Sequence, residues 1–69
     1  MFTPIYYMQS ATGSFTFIYI SKVFDNGGKH YRKITLQFSE QVEEFLILSP
    51  AKRLTTHDFC TTWEELTGP

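Results

Sequence analysis

Asp25-Asn26-Gly27-Gly28 separates two runs that both read as β-strand, and this junction constrains the fold more than any other stretch of the chain. Residues 15–24, Phe-Thr-Phe-Ile-Tyr-Ile-Ser-Lys-Val-Phe, are rich in the aromatic and β-branched types that fit a pleated surface. Residues 31–38, Tyr-Arg-Lys-Ile-Thr-Leu-Gln-Phe, alternate polar and apolar, as a half-buried strand does. A hairpin follows, and a two-residue turn is predicted, because glycine takes the positive φ of primed turns at little steric cost. That loop length sets facing: odd positions of the first strand share a face with even positions of the second. Phe15, Phe17, Tyr19 and Val23 then join Ile34, Leu36 and Phe38 as a core face.

Upstream, residues 4–8 are expected to add an edge strand, which tolerates Pro4, returning through Ser10-Ala11-Thr12-Gly13-Ser14. The same parity sends Tyr6 and Met8 to the core and Ile5 and Tyr7 to the opposite face. Downstream, Ser39 can cap a helix whose first turn carries Glu40, Glu43 and Glu44, well placed against the positive end of the helix dipole. Val42, Phe45 and Leu46 fall on one side of it, and Pro50 stops it. Periodicity alone leaves residues 45–48 open between buried helix and short strand, and the acidic first turn favours helix. A second helix begins at Thr56, with Asp58 in its first turn. Phe59, Trp63 and Leu66 share its apolar stripe, and Gly68 sits at its end. The expected fold is α+β: a small antiparallel meander of two to three strands, followed by two short helices packed on one sheet face.

A chain of 69 residues has room for one domain and one small core. Its one cysteine, Cys60, cannot close an internal disulfide, and Cys60 with His30 and His57 makes a poor zinc set. Aromatic packing is the available substitute, since 17% of residues are Phe, Tyr or Trp. Twelve such side chains are more than two thin layers hide, so some should reach a surface where a partner covers them. No apolar run is long enough to span a membrane, no secretory leader is visible, and the cysteine content suits a reducing compartment, so a cytoplasmic location is expected.

The net charge of −1 gives no bulk attraction to nucleic acid, but it is unevenly spread. Residues 1–38 hold Lys22, Lys29, Arg32 and Lys33 against Asp25, for +3, and residues 39–69 come to −4. The molecule should be a dipole that favours head-to-tail self-contact or an acidic partner.

Few residues suggest chemistry. His57 and Cys60 would lie one turn apart near a helix N-terminus, the minimum for a thiolate nucleophile, but no oxyanion loop accompanies them. Cys60 reads more simply as a small buried hydrophobe, and Asp58 as a helix-dipole partner. Gly27-Gly28 lacks the strand-to-helix setting and lysine of a phosphate loop, and the Glu43-Glu44 and Glu64-Glu65 pairs read as solvated helix faces. No enzyme activity, cofactor or metal is expected.

The informative misfit is the central strand, apolar on both sides: Ile18, Ile20 and Phe24 point away from the face that two helices would cover. The expected function is therefore non-enzymatic protein binding, by an inhibitor or adaptor that masks a larger protein through the open sheet face, as a homodimer. Tyr7, Ile18, Ile20, Phe24, Tyr31 and Lys33 are the expected contacts.

The alternative is nucleic acid, with Lys22, Lys29, Arg32 and Lys33 on phosphates and Tyr7, His30 and Tyr31 stacking on bases. From Tyr31 onward the order of strand, Ser39-Glu40 helix start, Ala51-Lys52-Arg53-Leu54 and Thr56-capped helix resembles a ribbon-helix-helix repressor. That resemblance covers about half the chain and implies Lys33, Thr35 and Gln37 as the face entering a DNA groove. Pro50, the missing inter-helix glycine and the thirty residues before the strand depart from the pattern.

Overall fold

The computed structural model describes residues 4–68. Strands β1 (Pro4–Gln9), β2 (Phe15–Val23) and β3 (Lys29–Leu36) are followed by helix α1 (Glu40–Leu48), a two-residue strand β4 (Lys52–Arg53) and helix α2 (Thr56–Thr67). The strands form one four-stranded sheet in the order β3-β2-β1-β4. Its first three strands are an antiparallel meander, and β4 runs parallel to β1. The α+β architecture read from the sequence is the one observed.

Both hairpin loops have three residues, and this corrects the expected two-residue turn. In the first, Ser10 N–H donates to Ser14 O at 2.8 Å, and Gly13 N–H donates to Ser10 O at 3.0 Å. In the second, Phe24 N–H donates to Gly28 O at 2.7 Å, and Gly27 N–H donates to Phe24 O at 3.0 Å. Each loop needs a left-handed residue in third place, and Gly13 (φ 91°) and Gly27 (φ 87°) supply it.

A three-residue loop places residues of like parity opposite one another. Tyr7 therefore faces Phe17 across the strands and Tyr6 faces Ile18, so Tyr7 lies on the Phe17 side of the sheet, not with Ile18 as expected. In the second hairpin the loop sets Val23 opposite Lys29 and Lys22 opposite His30. A bulge between Ile20 and Lys22 then shifts the register by one. Beyond it Ile18 faces Lys33, Phe17 faces Ile34 and Phe15 faces Leu36. The expected grouping of Phe15, Phe17, Tyr19, Ile34 and Leu36 thus holds, through loop and bulge together. Val23, outside the bulge, is instead on the other face and 61% exposed.

The two helices cover opposite faces, a second correction. Phe17 is fully buried and packs T-shaped with Phe45, their ring centroids 5.7 Å apart, so α1 lies over the Phe15–Phe17 face. On the other face Ile18 has no exposed surface, and the Lys33 ammonium stands over the Trp63 ring of α2. The topology explains the arrangement. β3 and β4 both run parallel to β1, so α1 is a crossover helix that must pass over one face to carry the chain from one sheet edge to the other. The second apolar face of β2 requires a cover of its own, which α2 provides.

Both helix starts are capped by side chains: Ser39 Oγ accepts from Val42 N–H at 3.3 Å, and Thr55 Oγ1 accepts from Asp58 N–H at 3.1 Å. The second cap is thus Thr55, with Thr56 the first helical residue. Residues 45–48 are helical. Gly68 closes α2 with a bond from its N–H to Glu64 O at 2.7 Å, at φ −64°. A side chain there would come within 2.6 Å of Glu64 O, which accounts for the glycine without a left-handed turn.

Candidate protein-contact surface

Burial in this chain is thin, and what stays exposed is unevenly placed. On the α1 face the core consists of Phe15, Phe17 and Val42, with Tyr7, Leu36, Phe45 and Leu46 packed around them. The rings form a chain of contacts, Tyr7 to Phe17 at 5.8 Å, Tyr7 to Phe15 at 6.2 Å and Phe15 to Phe38 at 6.0 Å. A nine-residue helix is only about 13 Å long, too short to roof the whole sheet.

The consequence is visible at both flanks of α1. Four successive apolar residues, Phe45-Leu46-Ile47-Leu48, sweep most of the way round a helix at about 100° per residue, so they cannot all face the sheet. Phe45 and Leu46 turn inward. Ile47 is 76% exposed and Leu48 84%. Glu43 and Glu44, one turn earlier in the same rows, are exposed as well. Beside α1, Ile34 of β3 is 38% exposed, and Phe38, in the link from β3 to α1, is 56% exposed. Arg32, two residues from Ile34 and therefore on the same face, is also exposed. The surface on this side thus has an acidic, aliphatic half on α1 and a basic, aliphatic half on β3.

The second hairpin extends past the last paired residue of β1, and residues 21–30 are all exposed. Its bulge is held by Ser21, whose hydroxyl donates to His30 O at 3.1 Å and lies 2.6 Å from His30 Nδ1. Phe24 lies at its end under the Lys22 ammonium, 5.2 Å from the ring centroid. Asn26 Oδ1 accepts from Gly28 N–H at 2.8 Å and stiffens the loop. Lys22 and Lys29 are exposed on this arm, and Arg32 is exposed just below it on β3.

The residues expected to make contacts are thereby separated. Ile18, Ile20, Tyr31 and Lys33 do share a face, but α2 closes it: Ile18 is buried, Ile20 and Tyr31 are half-buried, and Lys33 is turned to Trp63 at 4.6 Å. Tyr7 is half-buried on the far side against Phe15 and Phe17, and only Phe24 is freely presented, on the arm. The open sheet face anticipated around Ile18 does not exist. Of the strand positions matched to a ribbon-helix-helix reader, Lys33 meets Trp63, and Thr35 is bonded to Thr16 at 3.0 Å, beside α2. Gln37 is exposed beyond the end of β3. Ile47 and Leu48 were not among the expected contacts, although the unbroken apolar run 45–48 signals them.

Two clefts flank α2. One, of about 450 Å³, is lined by Met8, Phe59, Cys60 and Trp63, with Lys33 and Glu64 at its rim. The other, of about 480 Å³, lies between Gln9, Arg53 and Thr55, and Arg53 Nη2 donates to Gln9 Oε1 at 3.4 Å. Cys60 is exposed, correcting its reading as a buried hydrophobe, and His57 is exposed too. Among the described residues no three His, Cys, Asp or Glu side chains are grouped so as to hold a metal ion. No helix of the described residues is long and apolar enough to cross a membrane. Comparisons with protein-family models, with curated proteins and with solved structures found no match to this chain.

Proposed function

We propose that this chain is a non-enzymatic protein-binding module, a small inhibitor or adaptor whose effect is to cover part of another protein surface. One observation carries the reading: Ile47 and Leu48, adjacent on α1, stand 76% and 84% exposed, the most exposed large apolar side chains among the described residues. Placing two aliphatic side chains in water forgoes about 1.5–3 kcal/mol each that burial would return. Flanking glutamates and arginine give the patch the apolar centre and charged rim of a protein interface. The contact surface is therefore α1 and the adjoining part of β3, in place of the face around Ile18.

The test is capture on the immobilised protein from extract of its own cells, with the wild type compared against Ile47→Asp/Leu48→Asp of unchanged circular dichroism. A protein retained by the wild type and lost from the variant supports the reading. Identical retention by both contradicts it.

The exposed cations of the arm and of the adjoining β3 favour one second reading, in which Lys22, Lys29 and Arg32 contact nucleic-acid phosphates. It requires retention on duplex or single strands that falls linearly with the logarithm of salt concentration, with a slope reduced by about one for each cation replaced by alanine.

A further inference from the structure

We infer that the occupant of the α1–β3 surface is a second copy of this chain, related by a two-fold axis; the inference rests on the protein-binding reading above. The α1 half presents Glu43 and Glu44 in the rows of Ile47 and Leu48. The β3 half presents Arg32 beside Ile34, both exposed. These halves are complementary in charge and alike in aliphatic character. Both halves lie on one side of the sheet, because Arg32 and Ile34 share the face of Phe17 that α1 crosses. A two-fold axis between them therefore sets the α1 of each copy on the β3 of the other, and one contact is made twice. Each Arg32 is then met by the other copy's glutamates, while Ile34 is covered by the other copy's Ile47 and Leu48.

Pairing through the free edge of β3 is the rival way to join two copies. That edge carries Lys29, Arg32 and Lys33 and no acid, so a second β3 beside it would oppose cation to cation. Burial is feasible too. A dimer of standard size needs about 800 Å² from each copy, roughly 15% of this molecule's 5171 Å².

Sedimentation equilibrium of the full chain tests the inference with three proteins: wild type, Arg32→Glu and Glu43→Lys/Glu44→Lys. The wild type should sediment as a dimer. Each variant alone should dissociate about tenfold or more easily, because it opposes like charges across both contacts. An equimolar mixture of the two should regain the wild-type dimer, since each charge then meets its opposite. A wild-type monomer at all accessible concentrations, or a mixture no tighter than its components, overturns the second-copy assignment. If capture of another protein still depends on Ile47 and Leu48, that failure leaves the binding reading standing. If neither capture nor self-association responds to these two residues, both fail. Ile47→Ser/Leu48→Ser serves where aspartate at the end of α1 unfolds the helix.

Discussion

The Lys33 ammonium stands 4.6 Å from the centroid of the Trp63 ring and fastens α2 across the sheet face on which Ile18 has no exposed surface. A cation on an indole at the surface contributes about 0.5–1 kcal/mol. Lys33→Ala should cost about that much in urea denaturation, and in a Trp63→Ala background it should cost nothing further. Equal losses in both backgrounds would show that the pair is not coupled.

Ile18 separates the two-faced sheet from an open one. Because α2 covers it, Ile18→Ala should destabilise by about 2–5 kcal/mol, comparable to Phe17→Ala on the opposite face. A loss below about 1 kcal/mol, as at an ordinary surface position, would contradict the helix-on-each-face arrangement.

Gly27 and Gly28 should respond differently to alanine. Gly27 holds φ 87° with open space around its α-carbon, so Gly27→Ala meets no neighbour and costs only the strain of a left-handed side-chain-bearing residue, about 1–2 kcal/mol. Gly28 is not left-handed, and its new methyl would meet Asn26 Oδ1 at 3.0 Å, an exposed side chain that can move. Gly28→Ala should therefore cost less. The reverse order would contradict the left-handed conformation of Gly27.

The caps give a sharp local check. Ser39→Ala and Thr55→Ala should each lose about 1 kcal/mol and reduce helical circular dichroism, whereas Thr56→Ala, one residue inside α2, should be nearly neutral.

These contrasts also show what local sequence can carry. Caps, strand composition and the position of the loops are readable because each depends on a few adjacent residues, such as Ser39 before its acidic turn or Gly27 in its loop. The side of the sheet taken by each helix depends on residues far apart. Lys52 and Arg53 have no strand signature, yet their pairing beside Tyr6 and Tyr7 makes α1 a crossover and sends α2 to the other face. Ser21 carries no mark of a bulge, yet the register shift beside it restores the pairing of Phe17 with Ile34 that the three-residue loop would have broken. The proposed contact surface is legible in one respect only. The run from Phe45 to Leu48 is too continuous for a helix that packs on one side, and its surplus, Ile47 and Leu48, is what the fold leaves in water.

The most direct measurement is a methyl-labelled NMR series from dilute to concentrated protein, then with any captured partner added. Ile34, Ile47 and Leu48 methyl signals should shift together while Ile18 stays fixed. Movement of Ile18 and Ile20 with Ile47 and Leu48 unchanged would place the contact under α2 and contradict the surface assigned to α1 and β3.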